Sequence, residues 1–179
     1  MFMNTRDQYS VVTRLLHWLV FLLVVGMLVG GKMLGVLPEG GIKSIAYGAH
    51  KSLGVVVLFL IGIRLVWRAL NPRPRFLGTN LVLHYMAEVV HVCLYVLLLL
   101  QPLAGILMSQ AHGYPVVVFG VVKIPPLIWH SPSIGGLFRQ IHTVTAAVLA
   151  IFIVVHAAAA LKHHYIDRDK TLMRMLRGD

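Results

Sequence analysis

The chain has only six acidic residues and a single cysteine in 179 residues, and just 12% of its residues are charged. One cysteine, Cys93, excludes an intramolecular disulfide framework. It equally excludes a C-x-x-C-H site for covalently attached haem, and no such motif is present. Scarce charge combined with 58% hydrophobic residues and a mean hydropathy of +0.81 excludes a soluble domain, because a chain of this length has no way to bury so much apolar surface. No polar linker separates the apolar runs, so the expectation is a single transmembrane domain over residues 1–179.

What the sequence does have is four apolar runs, at about 15–35, 50–70, 86–109 and 138–161. Each is long enough to cross a hydrocarbon core of about 30 Å as a helix. The first run lacks a small-residue cleavage site and reads as a retained span rather than a signal peptide. Pro102 falls inside the third run, where it removes a backbone donor. Between the third and fourth runs, residues 110–137 carry Pro115, Pro125, Pro126 and Pro132 with Phe119, Ile128 and Trp129, a segment suited to lie along the membrane surface. The expected fold is all-α, an integral membrane four-helix bundle.

The net charge of +10 resembles that of a nucleic-acid-binding protein, but its distribution argues against nucleic acid as a partner. Basic residues fall between the apolar runs, where they act as topology signals and headgroup contacts to the lipid bilayer. With both termini on one side, that side holds eleven basic residues (Arg6, Arg14, Arg64, Arg68, Arg73, Arg75, Lys162, Arg168, Lys170, Arg174, Arg177) against five on the other (Lys32, Lys43, Lys51, Lys123, Arg139). The bias places both termini in the cytoplasm of a multi-pass inner-membrane protein.

Histidine is plentiful, at ten residues, and its placement carries the functional signal. His142 and His156 lie fourteen residues apart in the fourth run. Fourteen helical residues advance by about 21 Å and turn through nearly four whole turns, so both rings leave one face at two depths. Ionisable side chains at membrane depth are costly and usually functional. By depth, His50 and His142 assemble an outer centre, and His156 assembles a cytoplasmic one with either His17 or His91. Two imidazoles without a thiolate or carboxylate suit a structural zinc site poorly, whereas they match the two axial positions of a haem iron. Gly26, Gly30, Gly54, Gly62 and Gly105 offer room for flat cofactors between helices.

The ordered motifs extend this reading. They are Tyr9-Ser10 followed by Arg14-Leu15-Leu16-His17-Trp18, then Ala49-His50-Lys51-Ser52-Leu53-Gly54 leading to Ile63-Arg64-Leu65-Val66-Trp67-Arg68. Asn71-Pro72, Glu88 to His91, Tyr95 and Gln101-Pro102-Leu103-Ala104-Gly105 follow. The most specific is His156-Ala157-Ala158-Ala159-Ala160-Leu161-Lys162-His163-His164-Tyr165 with Asp169-Lys170-Thr171-Leu172-Met173-Arg174-Met175. Over nearly its whole length the chain resembles the bacterial cytochrome b561 family, in particular its small four-helix superoxide oxidases. The resemblance implies two non-covalent haem b groups, with iron ligands His17 and His156 at one face and His50 and His142 at the other. It implies oxidation of superoxide to dioxygen on the periplasmic side and reduction of ubiquinone beside the cytoplasmic haem, with no protein partner required. His91, His163 and Arg14 are the expected quinone contacts, and Lys51, next to His50, is the candidate for steering superoxide. Arg14, Arg64 and Arg68 are candidates for pairing with haem propionates or a quinone headgroup, or for anchoring at the interface. The alternative is a b-type electron conduit between a partner dehydrogenase or hydrogenase and the quinone pool. A haem-free transporter built on a histidine chain is the reading of a different class.

Overall fold

The computed structural model describes residues 2–77 and 80–178. Four long helices dominate it: α1 (Val11–Leu34), α2 (Gly41–Leu70), α3 (Leu81–Ala111) and α4 (Pro132–Tyr165). A two-stranded hairpin, β1 (Val117–Val118) and β2 (Val122–Lys123), interrupts the segment before α4, and a short helix α5 (Thr171–Leu176) ends the chain. All four long helices are apolar enough to cross a membrane, as expected. They also overrun the apolar runs, by nine residues at the start of α2 and six at the start of α4, because helical hydrogen bonding continues past the hydrocarbon wherever no breaker intervenes.

Local chemistry sets where the helices begin. The Ser10 hydroxyl caps α1 by accepting from the Thr13 amide at 3.2 Å, and the Asn80 side chain caps α3 by accepting from Val82 and Leu83. Asn4 stitches the N-terminus in place: its side-chain oxygen accepts from the Ser10 amide and the Thr13 hydroxyl, while its own amide donates to Asn71 at the end of α2. Trp67 donates to the Thr13 hydroxyl at 3.0 Å and Trp18 to the carbonyl of Met175 at 3.0 Å, so two of the three tryptophans tie elements together. Trp129 stays exposed, the disposition expected of a belt residue.

α1 packs on α2, α2 on α3 and, most extensively, α3 on α4, whereas α4 does not run closely against α1 or α2. The apolar centre of the bundle is Val20, Val24, Val57, Ile61 and Leu149. α5 folds back so that the Leu176 and Met175 carbonyls accept from Arg14 and Trp18, placing the C-terminal helix beside the start of α1. This end of the bundle is the terminal face, and the opposite end is the hairpin face.

Within residues 110–137, the segment expected to lie along the membrane surface, the chain forms the hairpin. Val117 pairs with Lys123 and Val118 with Val122 around a turn at Phe119 and Gly120, both at positive φ (49° and 77°). Only a glycine takes that conformation freely, and Phe119 is held in it because its amide donates to the buried Ser52 hydroxyl at 2.8 Å. Ser52 is two residues beyond His50, so the hairpin is fastened to α2 next to that histidine. The Gln110 side chain closes the rest of the segment, donating to the Pro125 carbonyl and accepting from the Leu127 amide.

Candidate functional site: two imidazole pairs at two ends of α4

His142 and His156, both half-buried, each meet an imidazole from another helix. At the hairpin face the rings of His50 and His142 stand with centroids 6.4 Å apart. At the terminal face His17 and His156 stand 6.1 Å apart, and a third ring, His91, approaches His156 to 5.3 Å. Imidazole nitrogens bind first-row metals at about 2.0–2.1 Å, so two rings gripping one ion from opposite sides have centroids roughly 6 Å apart. Both pairs meet that spacing. Each also bridges α4 to a helix whose backbone it does not closely approach.

The hairpin-face pair is set in neutral surroundings. The His142 Nδ1 donates to the Gln101 carbonyl at 2.9 Å, which fixes the tautomer and leaves the unprotonated Nε2 as the nitrogen that could bind a metal. The Gln101 side chain approaches that Nε2 at 3.3 Å and is itself oriented by the Thr145 hydroxyl, which donates to it. Gln101 immediately precedes Pro102, so the proline that interrupts the α3 ladder adjoins the residue that grips His142.

Glycines make room for both rings. A Cβ on Gly105 lies 3.0 Å from the His142 Cε1, and one on Gly31 lies 3.2 Å from the His50 Cε1. Of the five glycines expected to give a cofactor space, Gly105 alone abuts a paired histidine; Gly54 contacts Met27, and Gly26, Gly30 and Gly62 face open space. Gly31 escaped sequence reasoning. The missed signal is antiparallel symmetry about the α1–α2 turn: Gly31 and His50, Met27 and Gly54, and His17 and Arg64 are each equally far from it along the chain. About the α3–α4 connection, Gly105 with His142 and His91 with His156 obey the same rule.

The terminal-face pair is set among charges. Arg64 donates to the His17 Nδ1 at 2.8 Å and to the Tyr95 hydroxyl at 3.1 Å, and Arg68 lies over the Tyr95 ring at 5.3 Å. Glu88, the acid inside the third apolar run, pairs with Arg73 at 3.1 Å and Arg68 at 3.6 Å. Tyr9 is close to this cluster, and burial pushes its hydroxyl above the ordinary phenol range.

The expected quinone contacts fall in this region with different partners. His91 lies against His156, Arg14 donates to the Leu176 carbonyl, and His163 binds Asp169 at 2.6 Å. Burial pushes the Asp169 carboxyl up, but hydrogen bonds from Thr171 and His163 outweigh it and hold the group below the usual carboxylate range. His163, Asp167 and Asp169 could together hold a cation, yet the Lys162 ammonium already binds Asp167 at 2.6 Å. Lys51 is not a free surface charge: its ammonium donates to the Ser109 hydroxyl at 3.2 Å and the Pro115 carbonyl at 3.1 Å, tying α2 to α3 and the hairpin segment.

Four membrane-spanning helices with imidazoles facing one another at two depths define a membrane protein built to hold redox cofactors. The chain belongs to the prokaryotic cytochrome b561 family, whose model matches residues 8–178. It is similar to cytochrome b561 homolog 2 of Escherichia coli (strain K12), with 33% identity over 177 residues covering 98% of this chain and 94% of that protein. Cytochrome b561 homolog 1 of the same organism is 28% identical over 172 residues, covering 95% and 97%. A probable superoxide oxidase, CybB, of Yersinia pestis is 28% identical over 173 residues, covering 94% and 96%. Membership makes this a haem b-binding, multi-pass membrane protein of electron transfer.

Proposed function

We propose that the chain is a di-haem superoxide:ubiquinone oxidoreductase of the inner membrane, with both termini cytoplasmic. The observation that carries the di-haem reading is the two imidazole pairs, 6.1 and 6.4 Å between centroids, at opposite ends of α4. On this reading His17 and His156 hold the haem at the terminal face, and His50 and His142 hold the one at the hairpin face. Each bound haem iron supplies a one-electron ferric–ferrous couple. The overall reaction balances as two superoxide anions, one ubiquinone and two protons giving two dioxygen and one ubiquinol.

The protein's own groups orient, shield and protonate. Gln101 fixes the His142 ring, and the apolar cluster around Ile61 and Leu149 keeps water out between the two ends. Among the described residues, two buried side-chain polar atoms lack a hydrogen-bond partner, Arg14 Nε and His91 Nδ1. Buried polar groups are ordinarily satisfied. Both orphans belong to the residues assigned to the quinone, which supports Arg14 and His91 as groups that engage its carbonyl oxygens. The Asp169–His163 pair at the edge of this face is suited to passing protons inward. Superoxide as donor is supported by the name of the Yersinia pestis relative and by the basic excess on the hairpin face, where Glu39 stands against five cations.

Stopped-flow haem spectroscopy on the purified holoprotein tests the reading. Rapid haem reduction by superoxide, followed by reoxidation when a ubiquinone analogue is present, is the expected result. A two-haem spectrum that superoxide reduces only slowly would instead assign the chain as a conduit for a partner dehydrogenase or hydrogenase.

A further inference from the structure

The two imidazole pairs differ in what touches them. The His142 Nδ1 donates to a backbone carbonyl, an arrangement that raises the electron density of the ring and its strength as a ligand to an oxidised metal. The His17 Nδ1 faces the Arg64 guanidinium at 2.8 Å, a group that donates only and never loses its charge. Arg64 is half-buried, and its second anchor is the Tyr95 hydroxyl at 3.1 Å, with the Tyr95 ring 5.8 Å from the charge. Lys51, the cation adjacent in sequence to the other pair, keeps its charge but donates to the Ser109 hydroxyl and the Pro115 carbonyl rather than to either imidazole.

From this asymmetry we infer that Arg64 is the residue that sets the direction of electron flow, by holding a fixed positive charge beside the terminal-face haem. This rests on the di-haem assignment above and goes beyond it. Reduction of a haem lowers its charge by one, so a neighbouring cation in a poorly screened interior favours the reduced form. A carbonyl acting on the ligand of the other haem favours the oxidised form. The two effects have the same sign and make transfer from the hairpin face to the terminal face downhill. When the His17 Nε2 is engaged by a metal and Nδ1 keeps its proton, two donors cannot share Nδ1; the Tyr95 anchor is what keeps the guanidinium beside the pair. Arg64 therefore acts through its fixed charge beside the pair and not through a hydrogen bond to the ligand ring.

The test is an anaerobic spectroscopic redox titration of the purified holoprotein. Wild type is compared with Arg64→Gln, Arg64→Lys and Arg73→Gln, the last removing an exposed cation of the same face. Each change is repeated in a His142→Ala background to isolate the terminal-face haem. Arg64→Gln is expected to shift the electron's distribution between the two haems at least tenfold toward the hairpin face, a fall of about 59 mV or more in the terminal-face potential alone. Arg64→Lys, which keeps the charge, restores most of it, and Arg73→Gln leaves both potentials in place. Unchanged potentials in Arg64→Gln overturn the inference while two bis-imidazole haems leave the di-haem reading standing, as does a failure of Lys to restore. Should Arg64→Gln fail to bind haem, the lysine variant carries the decision: wild-type-like potentials support the charge, and a fall as large as removal would give overturns it. Fewer than two haems in wild type defeats the di-haem reading and this inference together.

Discussion

The two ends of the bundle use the same helix and the same residue type to opposite effect. At the hairpin face, His50 and His142 sit among neutral partners, the Gln101 amide and carbonyl and the Thr145 hydroxyl, and each ring rests against a glycine. At the terminal face, His17 and His156 sit among Arg64, Arg68, Glu88 and a third imidazole, His91, and none of the described glycines rests against either ring. On the di-haem reading, ligand identity alone therefore cannot distinguish the centres. Their difference resides in the groups behind the ligands, which is where a protein tunes a metal without altering its first contacts.

The largest effect expected from breaking this comparison is loss of one haem without the other. His142→Ala and His156→Ala come from a single helix, yet each should lower haem content from two per chain to one, read by a haem assay against protein concentration. The survivor should differ, and the two optical spectra should sum to that of wild type. His17→Ala should match His156→Ala, whereas His91→Ala should keep both haems and instead raise the KM for a ubiquinone analogue. A haem lost from His91→Ala and kept in His17→Ala would reassign the terminal-face pair.

The second effect separates the ends through packing. Gly105→Val places methyl groups where a Cβ alone is already 3.0 Å from the His142 ring, and overpacking of this kind costs about 1–3 kcal/mol. The expected outcome is reduced occupancy of the hairpin-face haem and a lower Tm, with the terminal-face spectrum intact. Gly31→Val should act in the same direction through His50 at 3.2 Å. Gly26→Ala, which meets nothing within 4 Å, should leave both spectra unchanged.

These substitutions also mark where sequence reasoning reached and where it stopped. Four apolar runs of span length and two histidines in helical phase follow directly from the chain, because membrane depth and helical pitch are nearly fixed quantities. Spacing left His17 and His91 equivalent as partners of His156, and the structure brings both rings to it, at 6.1 and 5.3 Å. The glycine cradle at His50 was invisible because many glycines share the spans and only helix–helix register tells which of them faces a ring. Arg64 was legible as a charge to be satisfied but not as a partner of His17, since that contact depends on α1 and α2 meeting in one antiparallel register. The hairpin was missed because its two residues per strand leave no periodicity to read.

A third prediction sharpens the role of the hairpin face. Lys51→Met removes two charge-assisted hydrogen bonds, the part-buried one to Ser109 and the exposed one to the Pro115 carbonyl, so Tm should fall. If Lys51 also steers superoxide, the bimolecular rate of haem reduction should fall by up to roughly tenfold and lose part of its dependence on ionic strength. A fall in Tm with an unchanged rate and salt dependence would confine Lys51 to tethering the hairpin segment.

The smallest expected effect concerns the strap across the terminal face. Asp169 accepts from the Thr171 amide at 2.7 Å and from His163 at 2.6 Å, and so fixes the turn between α4 and α5. Its carboxyl is held below the ordinary range in the folded protein, hence the folded state binds fewer protons there than the unfolded one. The stability it contributes is thus fully present above the unfolded value of about 4, and is lost as the pH falls through the lower folded value. Asp169→Asn keeps one acceptor oxygen but loses the charge, so it should loosen α5 at neutral pH and abolish the acid-side part of that dependence. Limited proteolysis between residues 166 and 171 at pH 7 and below pH 4 reads this locally. Wild type should become susceptible only at the acid end, whereas the variant should be cut at both. The haem spectrum of the hairpin face should stay the same throughout, because the strap touches only the opposite end of the bundle.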